Sequence, residues 1–526
     1  MTNSTKVMIV LCILCLAIVS GGLAAGEQRY IVKFKPGAGA KGAAQLSAIG
    51  ARQQLELHEY DAAAFTIPSN ALKGLQHNPN IEYIEPDAKR YLLSQTIPYG
   101  IPMVQADQLS DSAAGNMTVC IIDSGYQRSH EDLPGSGTVN GASDDGGAGD
   151  WFVDEVHHGT HVAGTIAALN NSVGVLGITP NDKLNLFIVK VFDASGWAYS
   201  SSLVAALGVC EDNGANVINM SLGGSFKSRT EERAFTAAHE RGVLSIAAAG
   251  NDGNTRHSYP ASYRDVISVA AVDENKQHAS FSQRTSQVEL AAPGVHVLSP
   301  VPMETGLATT TLVAGAEYSA IGMGGSPLGT ESGVLIDCGL GDSQCNDAAG
   351  AVCLIQRGGN IAFSDKVLAC EDGGGIAAII YNNVSGSLSG TLGEVVTHIP
   401  SVGVSKADGE VMLGLLGSSA TVSLLASNYA YFDGTSMATP HVAGVAALVW
   451  SHHLACTNTD IRDALRASAE DLGVTGRDDY YGYGLVQARE ASLYLGTDCG
   501  ASAGGGGADG GGNDKPEKPC RGRNCP

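Results

Sequence analysis

The feature that most constrains this chain is a repeated change of hydrophobic period between residues 94 and 302. Short apolar runs recur: Val119-Cys120-Ile121-Ile122, Leu186-Phe187-Ile188-Val189-Lys190-Val191, Val217-Ile218-Asn219-Met220 and Leu244-Ser245-Ile246-Ala247-Ala248. Longer, helix-compatible stretches lie between them, around residues 161–169, 200–213 and 230–241. A strand apolar on both faces must be covered on both, and parallel neighbours need a crossover long enough to hold a helix. The alternation therefore predicts an α/β fold, a parallel sheet covered by helices on both faces. Ligands of such sheets gather beyond the carboxyl ends of the strands. At 526 residues the chain is too long for one ordinary core, so further units are expected.

The flanking segments differ in texture. Residues 1–25 hold Lys6, an apolar run over 7–19 and then Ser20-Gly21-Gly22-Leu23-Ala24-Ala25, the pattern of a secretory signal peptide. The run falls short of the roughly 20 apolar residues that span a bilayer. Residues 26–93 read as a small α+β unit. It has an alternating stretch Gln28-Arg29-Tyr30-Ile31-Val32-Lys33-Phe34, a helix-compatible stretch over 42–57, and then the segments Ala64-Phe65-Thr66-Ile67 and Ile81-Glu82-Tyr83-Ile84-Glu85-Pro86-Asp87. Residues 303–428 are rich in Gly, Ala and Val, hold four cysteines and interrupt the α/β pattern, which resumes at Tyr431. A β-rich inserted domain fits them, with residues 429–499 completing the main unit. Residues 500–526 are Gly-rich and carry too little apolar sequence to bury, which predicts a flexible tail.

Two of the 12 cysteines, Cys12 and Cys15, lie in the leader, leaving an even set suited to disulfides in an oxidising compartment. The sequence leaves the pairing open. Proximity suggests Cys338 with Cys345, Cys353 with Cys370, Cys456 with Cys499 and Cys520 with Cys525, which leaves Cys120 with Cys210. The formal net charge of -22 repels phosphate backbones, so no nucleic-acid partner is expected.

Three segments carry chemistry. Ile121-Ile122-Asp123-Ser124-Gly125 sets a carboxylate just past a buried strand. His157-His158-Gly159-Thr160-His161-Val162-Ala163-Gly164-Thr165 supplies imidazoles, and Gly434-Thr435-Ser436-Met437-Ala438-Thr439-Pro440-His441-Val442-Ala443-Gly444 supplies a hydroxyl before a helix-compatible stretch. Singly these are a strand-end Asp, a loop His and a helix-capping Ser. Together they are an acid, a base and a nucleophile in the order Asp, His, Ser. A zinc reading of His157, His158 and His161 lacks the Glu of the HExxH pattern, and Gly159 is a poor helix-interior residue. The GxSxG elbow is absent because Ala438 stands where its second Gly would be.

On these motifs the chain resembles the subtilisin family of serine proteases over about residues 94–495, the insertion apart. The resemblance implies a subtilisin-like parallel sheet and a serine endopeptidase acting on peptide bonds through an acyl-enzyme. Asp123, His158 and Ser436 would form the triad. Asn251, with the backbone N–H of Ser436, would stabilise the oxyanion. Ser221, Leu222 and Gly223 would pair with an extended peptide. Ala248, Ala249 and Gly250 would wall the pocket for the side chain before the cut, their small size favouring large apolar or aromatic groups. A structural calcium is implied at the side chains of Gln95, Asp132 and Asn171 and the carbonyls of Leu169, Val173 and Val175, an all-oxygen set that suits Ca²⁺. No organic cofactor is expected.

Residues 26–93 resemble the family's inhibitory propeptides, with self-cleavage expected between about residues 89 and 94. Residues 303–428 resemble a protease-associated domain, on Gly350-Ala351-Val352-Cys353-Leu354-Ile355-Gln356-Arg357-Gly358 and Gly375-Ile376-Ala377-Ala378-Ile379-Ile380-Tyr381-Asn382-Asn383. The expected product is a secreted, extracellular monomer. It acts on proteins and peptides, is inhibited by its own propeptide, and has no membrane contact once the leader is gone. An inactive fold used as a binding module is the contrasting reading, and the filled catalytic positions speak against it. Adhesion through the insertion and tail is a third, and the tail is too poor in apolar residues to form a binding domain.

Overall fold

The computed structural model describes residues 28–68, 71–75, 78–87, 95–135, 137–143, 147–497 and 499. The leader, the tail, the Cys520–Cys525 pairing and the whole expected self-cleavage stretch lie outside the described residues.

The main unit is built on a seven-stranded sheet. In space the order is Val288–Pro293, Val266–Val272, Leu244–Ala248, Val217–Met220, Thr118–Asp123, Asn185–Lys190, Val139–Ser143. Every neighbouring pair is parallel, as the alternating pattern requires. Consecutive strand residues point to opposite faces. Val119 and Ile121 accordingly enter one core, under the helices His158–Ala167 and Thr435–His452, while Cys120 and Ile122 enter the other, under Ser200–Asp212 and Arg229–Glu240. Each fully buried Ile or Val in these cores contributes roughly 1.5–3 kcal/mol. The Cys120–Cys210 disulfide ties the central strand to a covering helix.

Helix Thr435–His452 is buried along almost its whole length, which its small and apolar residues allow. It crosses under the sheet and brings its first turn to the strand ends. Pro440 lies inside it. A proline there has no N–H, so the carbonyl four residues earlier, that of Ser436, loses its helical partner.

The chain leaves the main unit along Val297–Pro300 and returns along Tyr429–Phe432, two antiparallel strands in which Pro300 faces Tyr429. Between them lies a second unit, an eight-stranded mixed sheet with the helices Phe363–Asp372 and Lys406–Leu413 packed in separate cores. Cys338–Cys345 and Cys353–Cys370 are bonded within it, and Cys456–Cys499 closes the main unit's last helices. The amino-terminal unit is a four-stranded antiparallel sheet in the order Arg52–Leu57, Ala62–Ile67, Gln28–Phe34, Ile81–Pro86. Here the helix-compatible stretch over 42–57 divides. Helix Gly39–Ala48 ends before Gly50, and Arg52–Leu57 is a strand because Ala62–Ile67 offers it a pairing edge. No helix among the described residues is long and apolar enough to cross a membrane.

Candidate active site

Asp123 ends the central strand at the sheet's carboxyl edge and is fully buried. Its Oδ1 accepts from the Ser124 amide at 2.8 Å and lies 2.7 Å from His158 Nδ1. Oδ2 is buried with no partner among the described residues. Nδ1–H is therefore the donor, which leaves Nε2 as the basic nitrogen. His158 keeps 27% of its side chain exposed. Burial alone would depress its pKa, but the charge and hydrogen bond of Asp123, with the charge of Asp154, outweigh it and hold the imidazole above its ordinary value.

His158 opens its helix, and the first turn is fixed from outside. Asp154 Oδ1 accepts from the His157 amide (2.9 Å) and the Ser124 hydroxyl (2.8 Å), and its Oδ2 accepts from the Thr160 amide (2.8 Å) and hydroxyl (2.6 Å). Ser124 Oγ in turn accepts from the Gly159 amide at 2.9 Å. A carboxylate thus satisfies the orphan donors of the helix that carries the base. Gly159 is required here, because a Cβ would stand 2.2 Å from the Gly125 carbonyl oxygen. Sequence reading passes over Ser124 and Asp154, since nothing in their spacing separates them from ordinary loop residues.

Ser436 lies in the first turn of the buried helix. Its hydroxyl donates to the Ser221 carbonyl at 3.0 Å rather than to His158. The Ser221 hydroxyl donates to the Ser436 carbonyl at 2.7 Å, taking up the acceptor that Pro440 frees. Ser221, expected as a peptide-pairing residue, therefore braces the turn bearing Ser436. Asn251 Oδ1 accepts from both the amide (2.9 Å) and the hydroxyl (2.8 Å) of Thr435. Those bonds commit the oxygen inward, and Nδ2 lies 3.4 Å from where a Cβ on Gly434 would stand, a point that is also 3.5 Å from the Ser436 amide nitrogen. Thr435 is a third residue that sequence reading passes over.

Two clefts meet along Leu222 and Gly223. One, of about 500 Å³, is lined by Asp123 and His158 and by Trp197, Tyr199 and Phe226, of which Phe226 is 92% exposed. The other, of about 310 Å³, is lined by Ser436, Asn251, Ala248 and Gly250, and also by Arg256 and Gln283. Ala249 corrects the sequence expectation. It packs into the core under the sheet, because adjacent residues of an extended segment face opposite ways.

The oxygen-bearing residues expected to hold a cation form a second cluster. Asp132 is fully buried, and among the described residues no basic side chain pairs with it. Burial pushes its carboxyl up to about 6, against hydrogen bonds from the Val175 amide and Asn171 that lower it. Asn171 Nδ2 donates to Asp132 Oδ1 at 2.8 Å. Gln95 Nε2 donates to the carbonyls of Val175, at 2.9 Å, and of Leu169. Two carbonyls, a buried carboxylate and two amides that can each turn an oxygen inward converge here, a donor set that fits a hard cation. Val173 joins through its amide, which donates to Asn171 Oδ1 at 2.7 Å.

The imidazoles of the zinc reading diverge. His161 Nε2 faces the carbonyls of Val297 (3.0 Å) and Ala430 (3.2 Å), and its ring stacks on Phe432. Burial lowers its pKa to about 3, so it is a neutral donor within the core. Cys338, Cys345 and Cys353 bring their sulfurs together in the inserted unit, but all three are spent in disulfides and offer no thiolate.

Comparison with known proteins places similarity over each unit. The subtilase family model matches residues 114–325 and 403–484, the PA domain model 309–412, and the fervidolysin N-terminal prodomain model 27–87. Subtilisin J of Geobacillus stearothermophilus is 30% identical over 487 residues, 91% of this chain and 93% of its own length. Subtilisin E of Bacillus subtilis (strain 168) is 30% identical over 483 residues, 90% and 92% of the two chains. Among solved structures, the psychrophilic subtilisin-like protease Apa1 of the Antarctic psychrotroph Pseudoalteromonas sp. AS-11 gives a TM-score of 0.65 at 43% identity, covering 77% of this chain and 99% of its own.

Proposed function

Because the chain belongs to the subtilase family and is a serine endopeptidase, we propose that it is exported and hydrolyses proteins through Ser436, His158 and Asp123. The observation that carries this reading is the 2.7 Å hydrogen bond between Asp123 and His158, in a cleft that meets the one lined by Ser436 and Asn251 along Leu222 and Gly223.

An extended peptide lies along Ser221 to Gly223, a segment that no strand of the described residues pairs with. Substrate draws the Ser436 hydroxyl from the Ser221 carbonyl to His158 Nε2, since such bonds tighten only in the loaded enzyme. Ser436 Oγ then attacks the scissile carbonyl carbon as its proton passes to Nε2. Asp123 stays ionised and stabilises the imidazolium. The negative oxygen of the tetrahedral intermediate meets the Ser436 amide and Asn251 Nδ2. His158 returns the proton to the leaving amine, and water repeats the sequence in reverse on the acyl-enzyme.

Asn251→Ala leaves Thr435 and the oxyanion without this side chain. The expected loss is about 10²–10³ in kcat with KM little changed, the size seen for the matching donor of subtilisin itself. Steady-state kinetics on a peptide amide measure it, and a change confined to KM would remove Asn251 from the oxyanion site.

The side chain before the cut is assigned to the cleft lined by Ala248, Gly250 and Gly223, whose small size leaves room, within an otherwise polar lining, for large apolar or aromatic side chains. A peptide library checks this, and strict cleavage after Lys or Arg would refute it. Residues 26–93 act as an inhibitor that leaves by self-cleavage. Calcium binds at Gln95, Asp132 and Asn171 with the carbonyls of Leu169, Val173 and Val175, and it neutralises Asp132 and holds the loop in shape. Titration of metal-free protein with Ca²⁺ is the direct test.

A further inference from the structure

The cation cluster does not stand alone: the root of the inserted domain is built onto it. On the return path Asn428 and Tyr429 pass directly over the segment holding Asp132. Asn428 Nδ2 donates to Glu131 Oε1 at 2.9 Å. Its backbone carbonyl accepts from the Val301 amide and from His130 Nε2, each at 2.9 Å, and its Oδ1 accepts from the Glu304 amide at 3.0 Å. One side chain thereby joins the outgoing and returning limbs of the stem to the segment 130–132. His130 completes the link, accepting through Nδ1 from the Asp132 amide at 3.1 Å and meeting the Tyr429 ring edge-on.

Tyr429 makes the closest approach. Its hydroxyl lies 3.3 Å from Glu131 Oε1 and stands beside the Asp132 carboxylate. The loop over 169–175 leaves room for it only because residue 174 is glycine. A Cβ there would stand 2.2 Å from both Asp132 Oδ2 and the Tyr429 hydroxyl, and Gly174 has a φ of +61°. The carboxylate that would grip a cation from one side is thus flanked on the other by the hydroxyl of the first residue of the returning strand.

We propose that Tyr429 and Asn428 couple the cation site to the stem, so that calcium binding fastens the inserted domain's root and calcium loss frees it. The inference rests on the calcium reading of Gln95, Asp132 and Asn171. Groups that hydrogen-bond a metal's ligands change its affinity by about 10- to 100-fold when removed. Such coupling is reciprocal: whatever loosens the stem weakens the ion by the same factor.

The test uses the full chain with Ser436→Ala, which stops self-digestion. Calcium affinity is measured by calorimetry on metal-free protein, with Mg²⁺ as the comparison ion. An added protease then probes the stem, with cuts mapped by mass over residues 301–305 and 426–430. Calcium is expected to slow stem cleavage at least tenfold. Adding Tyr429→Phe is expected to weaken calcium about tenfold and to abolish most of the stem protection at saturating calcium, while cuts in residues 169–175 stay suppressed. Glu131→Ala, an exposed change that removes the acceptor of both Asn428 and Tyr429, is expected to lose stem protection likewise. Undiminished protection in both variants overturns the coupling. Calcium binding without any stem protection in the parent also overturns it while leaving the calcium site intact. A parent that binds no calcium overturns both.

Discussion

Replacing Ser436 by Ala is expected to remove nearly all hydrolysis while leaving the fold in place. The loss in kcat should be on the order of 10⁶, the size known for the nucleophile of subtilisin itself, with KM close to the parent's because binding is untouched. Folding should survive because the hydroxyl makes one bond, to the Ser221 carbonyl, and the turn is braced by other groups. The Ser221 hydroxyl still meets the residue 436 carbonyl, and Thr435 still meets Asn251. The variant should also accumulate as the uncut precursor, since self-cleavage needs the same nucleophile. Casein hydrolysis beside the parent, with the product's mass, reads both effects. Equal hydrolysis would end the assignment of Ser436.

Asp123→Asn is expected to cost about 10⁴ in kcat near neutral pH, the loss known for the matching substitution in trypsin-like enzymes. An amide can donate to His158 Nδ1, which would place the proton on Nε2 and leave no base facing the serine. The substitution should also move the acid limb of the pH profile. Activity requires neutral His158, so the parent's kcat/KM rises as pH climbs through a pKa held above the ordinary imidazole value. The largest influence on that pKa, burial, pulls it down, and the Asp123 charge and hydrogen bond pull it up. Removing the charge leaves burial dominant, so the limb must shift to lower pH. A limb that stays put would show that Asp123 does not set the protonation of His158.

The residues that react were legible because the chemistry demands particular types in an ordered set. An acid after a buried strand, a His at a helix start and a Ser before a small-residue helix need no geometry to be noticed. The groups that hold them were not legible. Ser124 and Thr435 work through contacts made only when segments 30 or more residues apart in the chain meet at the strand ends, and Asp154 joins its local bonds to His157 and Thr160 to one from Ser124, 30 residues away. Ser221 was noticed, but for its backbone. Its bond to the Ser436 carbonyl follows from Pro440, and that carbonyl's lost partner could have been foreseen from the proline alone. Ala249 could also have been placed correctly, since the alternation of an extended segment forbids three consecutive residues from facing one cleft. The strands Val266–Val272 and Val288–Pro293 lie in apolar runs, but their position at one side of the sheet depends on tertiary pairing. The strand Arg52–Leu57 was masked by helix-tolerant residues until a partner strand was available.

Pro300 and Tyr429, where the inserted unit begins and ends, are neighbours across a strand pair. To the surrounding chain the whole guest therefore counts as little more than a hairpin turn once it has folded. Joining the two halves of the host then requires closing only a short gap, and the entropy of a long open loop is avoided. Order of assembly follows from this: a guest that folds first brings distant host strands within reach, whereas an unfolded guest would slow the pairing of everything that comes after it.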